Sequence, residues 1–313
     1  MQIVAVPFKF RTPRMVADNN RAFGWNIEQH FHEWLLENNN DAEVAVRYLP
    51  VYWWNNSAAL YRSKVHCGFY AVPGVQQFVD QLDASARYVT VSRGADGIYE
   101  RIPYGVIVCS AGGGGDIPIP HLCEIERRMA HSSDRKWLAS FVGNLNPGGP
   151  EVPRPIGRSS ANPNGVGTRV RQKMASVFNS EPDCTIIPAQ MMSWSEEQQK
   201  QHTIFCDVAS DSWFGLAPRG YGKTSYRLYE MFALGTIPVY IYDEPWLPYL
   251  DKLDWREFAV LCHESELDAL PELLRQIPIE KRLAMIARGT ALYGPYFTQD
   301  GMCRRIMEYV SQL

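Results

Sequence analysis

The sequence predicts an α/β protein built from two parallel-sheet domains. Strand-like and helix-like segments alternate through its front half, and a second alternating block follows a break near the middle. At 313 residues the chain is long enough for two compact domains of ordinary size. A composition of 46% hydrophobic and 21% charged residues is that of a globular protein, neither disordered nor fibrous.

In the front block, residues 2–6 read as a strand. Residues 25–37 follow as a helix with Trp25, Ile27, Phe31, Trp34 and Leu35 as its apolar positions. Residues 45–49, 75–82, 88–91 and 106–110 continue the alternation. His30 and His32 read as surface or packing histidines. Residues 125–136 read as a helix and hinge, which places an N-terminal domain at 1–133 and a C-terminal domain at 134–300. The second block runs through 137–141, 170–178, 237–242, 258–261 and a helix over 267–276. Residues 301–313 carry a last helix, 303–310, expected to pack back on the first domain. The stretch 146–168, rich in Gly, Pro, Asn and Ser, reads as a long loop of the kind that serves as a binding element or lid.

The densest signal lies in residues 216–243, a glycine-rich basic turn followed by a helix and a buried strand. Gly220 and Gly222 would let the backbone take positive φ and approach a ligand closely. A helix opening near Ser225 would aim its free N–H groups at an anion, and Gly235 would stop that helix. Arg219, Lys223 and Arg227 stand around the turn, and arginine forks match phosphate oxygens in pairs. Lys223, Arg227 and Glu230 are spaced to share one helix edge. Beside a diphosphate, Glu230 makes sense if it reaches neutral ribose hydroxyls; otherwise it forms a surface ion pair with Arg227.

Two nucleotide readings compete. Residues 217–224 nearly spell a P-loop, with Ala217 for its first glycine, which would indicate an NTPase or kinase. Pro218 interrupts that loop, and the motif falls late in the chain. The other reading comes from the ordered set Pro218-Arg219-Gly220-Tyr221-Gly222, Ser225, Arg227, Glu230, Gly235-Thr236-Ile237-Pro238-Val239, Asp243 and Leu247-Pro248. This set resembles the C-terminal signature of the exostosin-like glycosyltransferases, the group of heparan-sulfate polymerases and plant cell-wall xylosyl- and galactosyltransferases. Weaker echoes are the segments 45–52, 94–97, 115–120 and 141–144, although Gly97 stands where the family carries a histidine. That departure keeps open a carbohydrate-binding protein that has lost catalysis.

The resemblance implies a GT-B architecture, two Rossmann-like domains facing across a cleft, and inverting transfer of a sugar from UDP-sugar to a glycan acceptor. Xylose, galactose, glucuronic acid and arabinose are all donors within that wider family, and the compact, soluble character of the chain favours xylose among them. The chain has no Asp-x-Asp sequence of the kind a metal-clamped GT-A enzyme uses. Cationic side chains and a helix end would therefore stabilise the leaving diphosphate, so no metal or other cofactor is expected.

The donor would be held by Arg219, Gly220, Tyr221, Gly222, Ser225, Arg227 and Glu230, with Gly143 and Asn144 bordering the sugar. Arg171 is either a further phosphate ligand or a solvated helix cation. The base is expected from the facing domain as Asp96 or Asp116, each of which also reads as a turn former beside glycine. Tyr52, Trp53 and Trp54, just past a strand end, are expected to line the acceptor groove, though the tryptophans could equally be core.

A net charge of −3 gives no general attraction to nucleic acid. No stretch reaches the roughly 20 apolar residues needed to span a bilayer, and no leader pattern opens the sequence. The expectation is thus a cytoplasmic protein, of bacterial or viral type, or a trimmed form of a Golgi enzyme. Seven scattered cysteines without a Cys-x-x-Cys pair read as reduced thiols. The oligomeric state is not legible.

Overall fold

The computed structural model describes residues 1–11, 27–38, 44–53, 74–94, 98, 100–121, 123, 125, 134–147, 165–189 and 196–313. Two parallel sheets organise them. The first holds β1 (Arg47–Tyr48), β2 (Tyr88–Ser92), β3 (Val106–Ser110) and β4 (Ile117–Pro118) in the order β1-β2-β3-β4, with Ile3 bridging to Tyr48 at one edge. The second holds β5 (Trp137–Gly143), β6 (Cys184–Pro188), β7 (Ser212–Pro218), β8 (Ile237–Tyr242) and β9 (Val260–His263) in the order β6-β5-β7-β8-β9. Both are parallel throughout. The first sheet follows chain order. The second reverses direction between β5 and β7, and such a reversal opens a crevice beyond the carboxyl ends of the strands.

Local sequence explains the elements. All seven residues of β7 are buried, as expected of a parallel strand covered on both faces. The short helices α1 (Phe8–Arg11) and α3 (Val75–Val79) and the longer α2 (Ile27–Asn38) belong to the first sheet. Ile27, Phe31 and Leu35 recur every fourth residue on α2 and pack against Tyr48, Val89 and Val91. The second sheet carries α4 (Val166–Phe178), α5 (Glu196–Ser210), α6 (Tyr226–Ala233), α7 (Leu270–Gln276) and α8 (Ile279–Leu292). On α4, Val170, Met174 and Phe178 enter the core under β5 and β7, while Phe205, Cys206 and Ala209 of α5 pack with Val142, Met231 and Leu234. The final helix, α9 (Gln299–Val310), returns to the first sheet and buries Met302, Cys303, Ile306 and Val310 against the α2 core.

The segment 75–82, the helix-like member of the alternation between strands 45–49 and 88–91, is α3, which follows Gly74 at φ 97° and ends at Val79. The loop expected over 146–168 ends earlier, because Val166 already opens α4; residues 148–164 lie outside the described residues, as does most of the expected hinge. The cysteines among the described residues are all free thiols.

The two sheets meet along a tight seam. Lys223 N donates to Gly112 O at 3.0 Å, and Trp246 Nε1 donates to Ser110 O at 3.0 Å. Gly113, at φ +116°, lies so close that a Cβ there would meet the Lys223 side chain. The glycine run at the end of β3 therefore lets the turn after β7 dock directly on the first domain.

Candidate active site

At the β5/β7 reversal, four chain segments converge: Gly143 and Asn144 at the end of β5, the start of α4, residues 218–224 running on from the end of β7, and the start of α6. Two helix N-termini thus border one crevice, a setting that favours negative charge. Ser225 caps α6, its Oγ accepting from Arg227 N at 3.3 Å, and Gly235 at φ 67° ends the helix, as the sequence predicts. The expected role of Gly220 and Gly222 needs correction. Neither is among the glycines with positive φ. Their surroundings are close instead: a Cβ on Gly220 would lie a tight 3.3 Å from Arg171 Nη2, and a Cβ on Gly167 of α4 would collide with the Gly220 carbonyl.

Two guanidiniums, Arg171 buried and Arg227 partly buried, lie at this reversal. Arg171 donates from Nε to Arg219 O (3.0 Å), from Nη1 to Asn144 O (2.6 Å) and from Nη2 to Pro218 O (3.4 Å). It ties the ends of β5 and β7 together and is not the solvated helix cation its sequence setting allowed. Burial, with the Arg227 charge beside it, lowers its pKa to about 9. Arg227 donates from Nε to Val142 O at 3.0 Å, pairs with Glu230, and lies over the Phe205 ring with Cζ 3.7 Å from the centroid. Its pair with Glu230 is not the surface pair considered from sequence: the two side chains are only 12% and 13% exposed. Two cations against one carboxylate, at two helix N-termini, leave the crevice positive.

Arg219 and Lys223 do not join them. Arg219 is 2% exposed; its Nη1 contacts both Asp243 oxygens at 2.5 Å, and its Nε and Nη2 donate to the Gly222 and Tyr221 carbonyls. The expected phosphate ligand is instead the strut that shapes the turn. Hydrogen bonds from Arg219 hold the Asp243 carboxyl below the usual range despite its burial. Lys223 pairs with Glu244 at 2.6 Å and lies over Trp246, so it shares no edge with Arg227 and is not aimed as a P-loop lysine would be.

Facing α6 from the first domain are Arg93, at the end of β2, and His121, beyond β4. His121 stacks on Tyr226 with ring centroids 4.2 Å apart, and Arg93 hydrogen-bonds the Tyr226 side chain. Arg93 N donates to Glu28 Oε1 at 3.1 Å, and Glu28 is itself 1% exposed. Burial, reinforced by Arg93, lowers the His121 pKa to about 3. Sequence reasoning missed this group, which carries no motif spacing.

Several first-domain expectations change. Trp53 is completely buried, and its Nε1 donates to Thr90 Oγ1 at 2.8 Å; Tyr52 is 3% exposed with its hydroxyl 3.3 Å from His32 Nδ1. Both are core residues rather than acceptor-groove walls, and Trp54 lies outside the described residues. Asp116 folds back beside the middle of β3: its N donates to Val108 O and its Oδ2 accepts from Val108 N, both at 2.9 Å. That places it level with mid-strand and below the carboxyl end, in the turn-forming role and not that of the base. Asp96 lies outside the described residues.

Comparison with known proteins adds the family. The model described as Exostosin GT47 domain matches residues 110–277, more than half of the chain. Exostosin-1 of Drosophila melanogaster is 27% identical over 147 residues, covering 42% of this chain and 19% of that protein. Probable glucuronosyltransferase GUT1 of Oryza sativa subsp. japonica is 32% identical over 152 residues, covering 44% and 34%. Probable beta-1,4-xylosyltransferase IRX10 of Arabidopsis thaliana is 35% identical over 83 residues, covering 26% and 18%. The matched stretches thus span about a fifth to a third of the relatives' own lengths. The solved structure of TarM is similar at a TM-score of 0.42 and 5% identity, over 90% of this chain and 53% of that one, too loose to bear on the fold.

Proposed function

The chain belongs to the exostosin GT47 family, and on that premise we propose that it transfers a sugar from a nucleoside-diphosphate sugar to a glycan acceptor. One observation carries the reading: a buried guanidinium, a partly buried one and two helix N-termini meet at the sheet reversal, with Glu230 the carboxylate paired among them. Departure of the diphosphate concentrates negative charge, and preorganised positive groups stabilise charge that develops in the transition state. Arg171 acts from beneath as a buried charge that an anion would relieve. Arg227 meets the phosphates directly, and Glu230, held by Arg227, accepts from ribose hydroxyls.

Inversion requires a base to take the acceptor proton as the bond forms. Asp96 is the proposed base, because it lies two residues beyond Gly94, where the chain leaves the cleft end of β2. UDP is the proposed carrier. Xylose is the first donor to assay and glucuronic acid the second, the sugars named for two of the relatives. Side chains supply the charge that a metal supplies in metal-dependent transferases, so activity without a divalent ion is part of the proposal. No helix among the described residues is long and apolar enough to cross a membrane.

The test is a thermal-shift and transfer screen of UDP-sugars in EDTA. A ligand that binds the native state raises its apparent stability. Stabilisation by a UDP-sugar in EDTA, lost in Arg227→Ala, supports the reading. Stabilisation only by ATP with Mg²⁺, or transfer abolished by chelator and restored by metal, contradicts it.

A further inference from the structure

Each guanidinium of the crevice lies over a phenyl ring, Arg171 over Phe141 at 5.6 Å and Arg227 over Phe205 at 3.7 Å. Phe205 is outside the glycine turn and α6; it sits on α5, is 1% exposed, and packs with Val142, whose carbonyl accepts Arg227 Nε. With Cζ 3.7 Å from the ring centroid there is little room for a guanidinium N–H to point into the ring, so the ring packs against a face of the group. The electron-rich ring face also offsets positive charge in a site where the Arg171 charge lies close by. Guanidinium N–H bonds lie in the plane of the group, so a ring packed on its face sets the direction of that plane and hence of the edge along which Arg227 meets an anion, the geometry of bidentate phosphate contacts.

We infer that Phe205 is a positioning residue for diphosphate recognition: its ring holds the Arg227 guanidinium edge-on to the leaving group. The inference rests on the nucleoside-diphosphate reading of the crevice. It predicts that changes at Phe205 affect recognition of the phosphates and leave recognition of the nucleoside intact.

The experiment measures UDP and uridine binding in EDTA, by calorimetry and NMR titration, for the wild type, Phe205→Leu, Phe205→Met and Phe205→Tyr. Leu and Met fill the core without a π face, so one can serve if the other fails to fold; Tyr restores the ring. The expected result is a UDP Kd raised about tenfold in the Leu or Met variant, with the uridine Kd within about twofold of wild type and UDP affinity recovered by Tyr. Equal losses for UDP and uridine, or no loss in a folded variant while the wild type binds UDP, overturn the positioning role alone. Absence of UDP binding by the wild type overturns the reading of the crevice itself.

Discussion

Arg171 shows how the site resolves a conflict between folding and function. A buried cation without a carboxylate partner costs free energy, and three carbonyls at the ends of β5 and β7 repay only part of that cost. Arg219 is the opposite case, matched by Asp243 and spent on holding the turn in shape. Trp53 carries the same lesson for the first domain, where an aromatic residue past a strand end filled the core. Trp53→Ala is expected to lower stability by about 3–5 kcal/mol, as large buried aromatics do. In preparations that remain folded, the acceptor KM should stay within twofold of wild type; denaturant unfolding and acceptor kinetics check the two halves. At this scale the sequence exposed the capping residues, Ser225 and Gly235, because their roles depend on local chemistry. It could not separate Arg219 from Arg227, because their partners, Asp243 and Val142, are remote in the chain.

At the scale of elements, the candidate site is set where α4 and α6 begin and β5 and β7 end. Gly167 lets the first turn of α4 press on the Gly220 carbonyl, and a side chain there has no room. Gly167→Ala should therefore cost about 1–3 kcal/mol through overpacking. It should also weaken UDP binding at least tenfold by displacing the turn, as read by thermal unfolding and calorimetry. The strands β2, β3 and β8 were legible from dense apolar runs, and α2 from its four-residue spacing. β6 and α5 were not: Cys184–Pro188 is short and partly exposed, and the first half of α5 is polar all round before Phe205, Cys206 and Ala209 give it a buried face. β7 is a continuous apolar run that lies against the glycine turn, and its strand character becomes clear only once β5 and β8 flank it.

Across the whole molecule, the seam between the sheets sets what the crevice faces. The docking of Lys223 on Gly112, the Trp246 bond to Ser110 and the His121–Tyr226 stack hold α6 and the turns around it to the first domain. This seam should respond to acid through His121. Its folded pKa, about 3, lies below the ordinary value of 6.5, so the unfolded chain takes up a proton first as pH falls. Stability is full above pH 6.5 and declines as pH drops toward 3. Between pH 6.5 and 5 the loss from this group is about 2 kcal/mol. His121→Phe, which keeps a ring against Tyr226, should flatten that part of the stability–pH curve measured by urea unfolding. An unchanged acid limb would refute the assignment.

The position of bound UDP decides between these readings of the crevice. In a crystal structure of the complex grown in EDTA the diphosphate is expected at the β5/β7 reversal, along the edge of Arg227 and against the start of α6, with the ribose beside Glu230. A diphosphate held instead by Lys223, or lodged away from the reversal, would contradict it.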